Sequence, residues 1–365
     1  MKRYAILVSD YPSEKKPNIL GFVHSRVRAY KREGLNVEVY KISTKIDEYL
    51  FENILVFCDT KDNLKRHFQQ KRYDAILIHF LDQTKIDIVG NQKCYIWVHG
   101  FEALSWKRRL FNLNPRIPLY IYENKKQLKA FRQYALSNPQ STFIFVSNWM
   151  YNVACKDIKY KIPNYTIIHN YIDETIFQYK LKLPEDRKRV LLVRSFANKK
   201  YANDISMDII CELSKKDYFS EVKFTIYGEG RLFKKCISKI KKFNNVEINN
   251  HFISQAQIAE LQKENGVFLC PTRQDAQGVS MCEAMCSGLV PLTSYNTAIP
   301  EFVSADKEGL LCDNDNIESF VEAFEKIFYD KTFYLNMSRA ASNRVREQCS
   351  FANTIQKEID LIIAK

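Results

Sequence analysis

Glycine is scarce in this chain, ten in 365 residues. No G-x-G-x-x-G string follows a strand, and no G-x-x-x-x-G-K-[ST] string occurs. The dinucleotide-binding fingerprint and the phosphate-binding P-loop are therefore both absent. Long apolar runs are missing too: nothing approaches the ~18 residues a membrane-spanning helix needs. The opening stretch, MKRYAILVSDYPSEKK, turns polar after a short apolar run and has no small-residue cleavage site, so it reads as a first strand rather than a signal peptide. Cysteines are present, ten of them, but without a C-x-x-C pair or a Cys/His group at zinc spacing. Cys282 and Cys286, four apart, read as buried thiols on one helical face. Internal repeats and low-complexity tracts are also lacking. These absences point to a reduced, metal-free, cytoplasmic protein.

What is present is an ordinary globular composition, 46% apolar and 27% charged, in a chain long enough for two domains. Fifty-five Lys and Arg against forty-two Asp and Glu leave a net charge of +13, which favours anionic partners. The excess is concentrated between Leu104 and Tyr134, where Lys107, Arg108, Arg109, Arg116, Lys125, Lys126, Lys129 and Arg132 face a single acid, Glu123. A solvated lysine-rich surface accounts for this run, and so does a patch that docks on an anionic membrane. No helix-turn-helix, zinc-finger or RNP string supports the third candidate, nucleic acid.

Short apolar runs alternate with amphipathic stretches along the whole chain. Strands are expected at Tyr4–Val8, Val37–Tyr40, Ala75–His79, Cys94–Val98 and Thr142–Val146, with a helix at Val23–Glu33. After Asp173 the rhythm restarts, with strands at Val190–Val193, Lys223–Tyr227, Val246–Ile248, Gly266–Cys270 and Val290–Thr293. Helices are expected between them at Asp204–Lys215, Arg231–Lys242, Gln255–Lys263 and Val279–Cys286. This alternation predicts two parallel sheets built from βαβ units, joined by a charged connector near Leu181–Lys188.

The most informative segment runs from Pro271 to Pro291, PTRQDAQGVSMCEAMCSGLVP. A strand ends at Cys270, a polar loop carries Asp275, Gln277 and Gly278, and a helix starts at Val279. Ligands of open α/β sheets bind beyond the carboxyl ends of the strands. A helix start there, at Val279 and Ser280, offers free N–H groups and partial positive charge to a diphosphate. Glu283, one turn into the helix, is suited to accept two ribose hydroxyls, and Asp275 to reach hydroxyls on the other side of the same phosphates. Together they read as a nucleotide-sugar clamp.

At these residues the chain resembles the GT-B retaining glycosyltransferases of family 4, whose pattern is an acid, seven residues, then Glu in E-G-F-G-x-x-x-x-E-A-M-A-x-G-x-P. Asp275 stands where the first Glu is usual, and its shorter side chain withdraws the carboxylate by one methylene. Upstream, the strand ending at Val193 runs into Arg194-Ser-Phe-Ala-Asn-Lys-Lys. This resembles the family's Arg and Lys grip on the donor diphosphate, with Arg194 as forked donor and Lys200, or its neighbour Lys199, as point charge. Gly228-Glu-Gly230 resembles the turn after the next strand, and His169-Asn-Tyr-Ile-Asp173 the interdomain N-G-[VI]-D, with Tyr171 for Gly. The turn at Phe252 aligns with the segment beside the base. Pro300-Glu-Phe-Val and Glu308-Gly-Leu-Leu match later landmarks. Before Ile167 the resemblance is topological. Gly21 aligns with the glycine loop after the first strand, and His99 with a histidine that touches the transferred sugar. His24 and Arg26 read as surface residues of the first helix, with acceptor contact as the alternative. The string Asp313-Asn-Asp315 looks like a surface segment and not a metal-binding DxD.

The resemblance implies an α/β GT-B fold of two Rossmann-like domains facing each other across a cleft. Residues 1–175 would form the acceptor domain, 188–345 the donor domain, and 346–365 a helix packing back on the first. It also implies a retaining hexosyltransferase that uses a nucleotide diphosphate sugar without metal or other cofactor. The acceptor would be a glycan or a lipid-linked sugar, as in bacterial surface polysaccharide synthesis, with peripheral attachment to the inner membrane face. The alternatives are a degenerate, non-catalytic GT-B subunit and a GT-B nucleotide-sugar epimerase.

Overall fold

The computed structural model describes residues 2–17, 19–112 and 117–364. They divide into two compact units, one of residues 1–171 and 351–365, the other of 172–350. The chain therefore passes back into the first unit at 350/351, five residues after the 345/346 boundary expected from sequence.

The first unit is built on strands β1 (Arg3–Val8), β2 (Asn36–Ile42), β3 (Asp47–Phe51), β4 (Ile54–Asp59), β5 (Ala75–His79), β6 (Cys94–Val98), β7 (Thr142–Phe145) and β8 (Tyr165–Ile167). Their order in the sheet is β3-β4-β2-β1-β5-β6-β7-β8. Every pairing is parallel except β3 with β4. The central strands β5 and β6 are buried at every position, as their unbroken apolar runs require in a sheet covered on both faces. Helices α1 (Gly21–Arg32), α2 (Lys61–Gln70), α3 (Gln83–Val89), α4 (Ile117–Ser137) and α5 (Asn148–Ile158) make the crossovers. Asp82 caps α3 by accepting from the Lys85 amide, and Ser147 caps α5 by accepting from Met150.

Three features depart from the sequence reading. The antiparallel ribbon β3–β4 turns at Glu52 and Asn53, both with positive φ. This is a primed-type turn made without the glycine that normally signals it. Gly21 is the first residue of α1 rather than part of the preceding loop, and the left-handed residue there is Leu20. His24 and Arg26 are buried, 2% and 0% exposed, so neither is a surface residue.

The second unit is an all-parallel sheet of β9 (Arg189–Val193), β10 (Lys223–Tyr227), β11 (Val246–Asn249), β12 (Val267–Cys270), β13 (Val290–Ser294) and β14 (Leu310–Cys312), in the order β11-β10-β9-β12-β13-β14. Its helices are α6 (Asn203–Leu213), α7 (Phe233–Ile237), α8 (Gln255–Glu264), α9 (Val279–Cys286), α10 (Ile317–Tyr329) and α11 (Lys331–Cys349). Helix α7 is far shorter than the expected Arg231–Lys242. Beyond Ile237 the chain continues in turns, with the Lys239 and Ile240 amides donating to the Cys236 and Ile237 carbonyls three residues back. Helix α12 (Ile355–Ile363) returns to the first unit, where Ile355, Ile359 and Ile362 join its core.

Strand order reverses between β1 and β5 in the first unit and between β9 and β12 in the second. Beyond the carboxyl ends of such strand pairs an open α/β sheet leaves a crevice.

Candidate functional site

In the second unit the loops leaving β9 and β12 carry the residues singled out from sequence. Arg194 directly follows β9 and is 6% exposed. Its Nη2 donates to the Cys270 carbonyl at the end of β12, 3.1 Å away, and so bridges the switch point. Nη1 lies 4.0 Å from Asp275 Oδ2, the guanidinium stacks 5.1 Å from the Tyr201 ring centroid, and Nε is buried without a partner. A forked cation held by packing, with one donor unsatisfied, has the chemistry to bind an anion.

The β9 loop is set by two glycines in the facing β10 loop. A Cβ on Gly228 would lie 2.1 Å from the Arg194 carbonyl oxygen, and one on Gly230 would lie 2.3 Å from the Phe196 carbonyl carbon. The amides of Arg194 and Phe196 donate to the carbonyls of Tyr227 and Glu229. The backbone of Lys200 is fixed as well. Its amide donates to Asn198 Oδ1, and its carbonyl accepts from the Arg273 amide at 2.8 Å and from Thr272 Oγ1 at 3.2 Å. Arg273 makes a two-pronged ion pair with Asp204 at 2.7 and 2.9 Å and donates to the Lys199 carbonyl. Lys199 is exposed and Lys200 half-buried.

Asp275 Oδ1 accepts from the Gly278 amide at 3.0 Å and from the Gln277 amide at 3.4 Å. The carboxylate thus organises its own loop with one oxygen and faces Arg194 with the other. Gly278, at φ +81, is the N-cap of α9, and Val279 and Ser280 open the helix. Gln277 is buried, with Nε2 3.5 Å from Cys349 Sγ. Glu283 is 8% exposed. It accepts from Gln255 Nε2 at 3.2 Å, and burial pushes its carboxyl up to about 7. Gln255 opens α8, whose position is set by the Ser254–Gln257 capping box. Half-buried Phe252 lies in the loop just before.

The brace behind this loop was not apparent from sequence. The Thr272 carbonyl accepts from Asn296 Nδ2 at 2.7 Å and Asn314 Nδ2 at 2.6 Å, and the Thr272 amide donates to Ser294 Oγ at 2.8 Å. Asp313 and Asp315 are exposed, but Asn314 between them turns inward to the β12 loop. Among the described residues, no three His, Cys, Asp or Glu side chains gather as a metal site.

In the first unit, His99 follows β6. Its amide and that of Gly100 donate to the Glu102 carboxylate at 2.6 and 3.0 Å. Glu102 is wholly buried, and its carboxyl is raised to about 6 by that burial, against the pull of the amides. His99 Nε2 lies 2.9 Å from Nδ1 of His79, the last residue of β5. Neither His79 nor Glu102 was singled out from sequence. The available signal was that two neighbouring apolar strands, AILIH and CYIWVH, each run into histidine. Gly21 lies at the head of α1 in the same unit. Arg26 serves the fold: Nε is 2.9 Å from Glu358 of α12 and Nη1 is 3.0 Å from Asn170 Oδ1. His24 lies between Tyr11 at 2.8 Å and Glu52 at 3.0 Å.

The basic run is partly neutralised. Arg108 is paired with Asp157 at 2.7 and 3.0 Å, and Arg109 lies over the Phe101 ring. Arg116 lies outside the described residues. Lys107, Lys125, Lys126, Lys129 and Arg132 are exposed, beside exposed Leu110, Leu119 and Tyr122. Among the described residues, no helix is long and apolar enough to cross a membrane.

Two parallel α/β sheets with these loops at the strand ends define a protein of the GT-B glycosyltransferase fold. Residues 173–344 match the family model described as glycosyl transferases group 1. Over 199 residues the chain is 23% identical to N-acetyl-alpha-D-glucosaminyl L-malate synthase of Bacillus anthracis, covering 51% of this chain and 50% of that protein. Over 107 residues it is 23% identical to GDP-mannose:cellobiosyl-diphosphopolyprenol alpha-mannosyltransferase of Xanthomonas oryzae pv. oryzae (strain PXO99A), covering 29% and 28%. The matches thus span half or less of these relatives' lengths. Among solved structures, Anabaena Alr3699/HepE in complex with UDP and glucose superposes with a TM-score of 0.76 at 11% identity, over 100% of both chains.

Proposed function

We propose that this protein transfers a hexose from a nucleotide diphosphate sugar to a glycan or lipid-linked acceptor, with retention at the anomeric carbon, in the making of a bacterial surface polysaccharide. The observation that carries the reading is Arg194: a buried guanidinium held across the β9/β12 switch point, with an unpartnered Nε, next to the Asp275 loop. The named relatives, an N-acetyl-alpha-D-glucosaminyl L-malate synthase and a GDP-mannose-dependent alpha-mannosyltransferase, and the UDP-bound neighbour support the substrate class.

In this reading the leaving nucleotide diphosphate gathers negative charge as its bond to the sugar breaks. Groups already aimed at that charge contribute most, because their interaction grows in the transition state. Arg194 and Lys200 supply cations, and the amides of Val279 and Ser280 supply the helix N-terminus. Glu283 takes the ribose hydroxyls, Phe252 lies beside the base, Gln277 and Gly278 shape the phosphate loop, and Asp275 orients the sugar. Of the first unit's residues, Gly21 is read as a donor-phosphate contact through its backbone and His99 as a contact of the transferred sugar. The cations balance the diphosphate directly, so turnover is expected to survive EDTA.

The exposed lysines and Arg132 beside Leu119 and Tyr122 are read as the face that meets an anionic membrane carrying the acceptor, each contributing roughly 1 kcal/mol at the surface. Co-sedimentation with phosphatidylglycerol vesicles, lost on reversal of Lys125, Lys126 and Lys129 to Glu, is the expected result.

The test of the function is a melting screen against UDP, GDP, ADP, CMP and their sugar conjugates. A ligand at a hundredfold excess over Kd stabilises the fold by about 2.7 kcal/mol. One base raising the melt, and failing to do so in Glu283→Ala, supports the donor site. No shift with any nucleotide overturns the reading in favour of a non-catalytic partner subunit. An inverted anomer in an NMR time course overturns retention alone.

A further inference from the structure

At the carboxyl edge of the first unit's sheet, the rings of His79 and His99 stack 5.2 Å apart with 18° between their planes. Trp97 stacks on His79 at 4.9 Å and 23°. Phe22 and Phe80 close on His99 at 4.9 and 4.6 Å. Phe80 has φ +58, a region that a bulky residue occupies only under constraint. His79 is 1% exposed, with its Nδ1 on His99 Nε2 and its own Nε2 buried without a partner.

We propose that His79 is a positioning residue: it donates from Nδ1 to His99 Nε2 and thereby holds His99 as the neutral Nδ1–H tautomer. The functional part of this inference rests on the reading of His99 as a site residue. The direction of the bond follows from the orphaned nitrogen. A buried N–H without a partner costs more than a buried lone pair without one, so the His79 proton sits on the nitrogen that has an acceptor. The charged and titratable groups facing His79 are His99 itself, Arg26 from α1 and Lys85 from α3. Burial first, and then these groups, hold the His79 ring well below the ordinary imidazole range. Arg26 is paired with Glu358 and Lys85 with Asp82. Glu102 grips the His99 backbone from the other side. His99 is thus fixed at both its main chain and its ring.

Long-range 1H–15N spectra of the full chain labelled with 15N-histidine read the protonated nitrogen directly, with His79→Leu and His99→Asn supplying assignments. Leucine suits a strand whose other residues are all buried and apolar, and the variant's melting curve checks that it folds. The expected result is Nδ1–H at both rings, no titration of His79 between pH 5.5 and 8, and a mixed tautomer at His99 in His79→Leu. His99 protonated on Nε2, or unchanged in His79→Leu, overturns the proposal. With UDP-glucose or whichever conjugate raises the melt, His79→Leu is expected to lower kcat at least tenfold at unchanged donor KM, and His79→Gln to recover part of it. Equal loss in both variants overturns positioning in favour of simple packing. Wild-type turnover in His99→Asn instead overturns the reading of His99 as a site residue, and the spectra alone then decide the tautomer.

Discussion

In the proposed reading, Glu283 couples protonation to nucleotide binding. Its carboxyl sits at about 7 in the fold because burial penalises the charged form, against an ordinary value near 4.5. Between those two values the folded state holds the proton more tightly than the unfolded state. Its contribution to stability is therefore complete below about 4.5 and falls as pH rises through about 7. Ribose hydroxyls donate best to the ionised form, so nucleotide binding should release a proton near neutrality. The nucleotide-induced melting shift is expected to grow from pH 6 to pH 8 and to lose that dependence in Glu283→Gln. Calorimetry in buffers of different ionisation enthalpy checks the released proton. In the proposed reaction Arg194 acts through charge that develops as the bond breaks. A charged hydrogen bond contributes about 1.5–3 kcal/mol, so Arg194→Ala should lower kcat by at least roughly tenfold at saturating donor. An unchanged kcat removes Arg194 from the site.

At the scale of elements, the loops at the carboxyl edge of the second unit's sheet hold their shape by locking into one another. The β9 loop can lie against the β10 loop only because Gly228 and Gly230 have no side chain. Gly230→Ala would place a carbon 2.3 Å from backbone and at φ +145. The expected cost is about 3 kcal/mol or more, and the displaced β9 loop should weaken nucleotide binding in the same variant. The family-like turn made the glycines visible in sequence, but the contact partner, Phe196, was not. Helix ends were legible where a chemical cap stood at the right spacing, as with Ser254 and Gln257. The β3–β4 ribbon was not: Asn53 suits positive φ, but Glu52 beside it does not, and it is held there by contacts with His24 and Arg28. The long Arg231–Lys242 helix was not either: its apolar spacing was right, but after Ile237 the chain tightens into turns closed by bonds between residues three apart.

For the whole molecule, the tie between the chain's two ends is a buried charge cluster. Arg26, Tyr30 and Trp97 of the first unit all hydrogen-bond Glu358 of α12, and both members of the ion pair are 0% exposed. Removing one partner leaves the other charged and dry, so Glu358→Ala should destabilise the fold by about 3–5 kcal/mol. Chemical denaturation checks this. Arg26→Met with Glu358→Leu together should recover much of the loss, since well-packed apolar replacements avoid the uncompensated charge.

The sequence by itself determined the class of the fold and the layout of the segment around Glu283. Strand, polar loop, helix N-terminus and Glu283 are contiguous, so their spacing alone sets which groups share one strand end. It also determined that Arg194 and Lys200 follow a strand, which in a parallel sheet places both at its carboxyl edge. Tertiary structure decided everything that depends on which strand lies beside which. His79 meets His99 only because β5 and β6 pair in register, and His24 and Arg26 are buried only because Glu52 comes from a ribbon and Glu358 from the far end of the chain. Local spacing encodes neighbours along an element. The partners of a buried charge are set by the packing that removes water around it, and here that packing joins residues as far apart as 26 and 358.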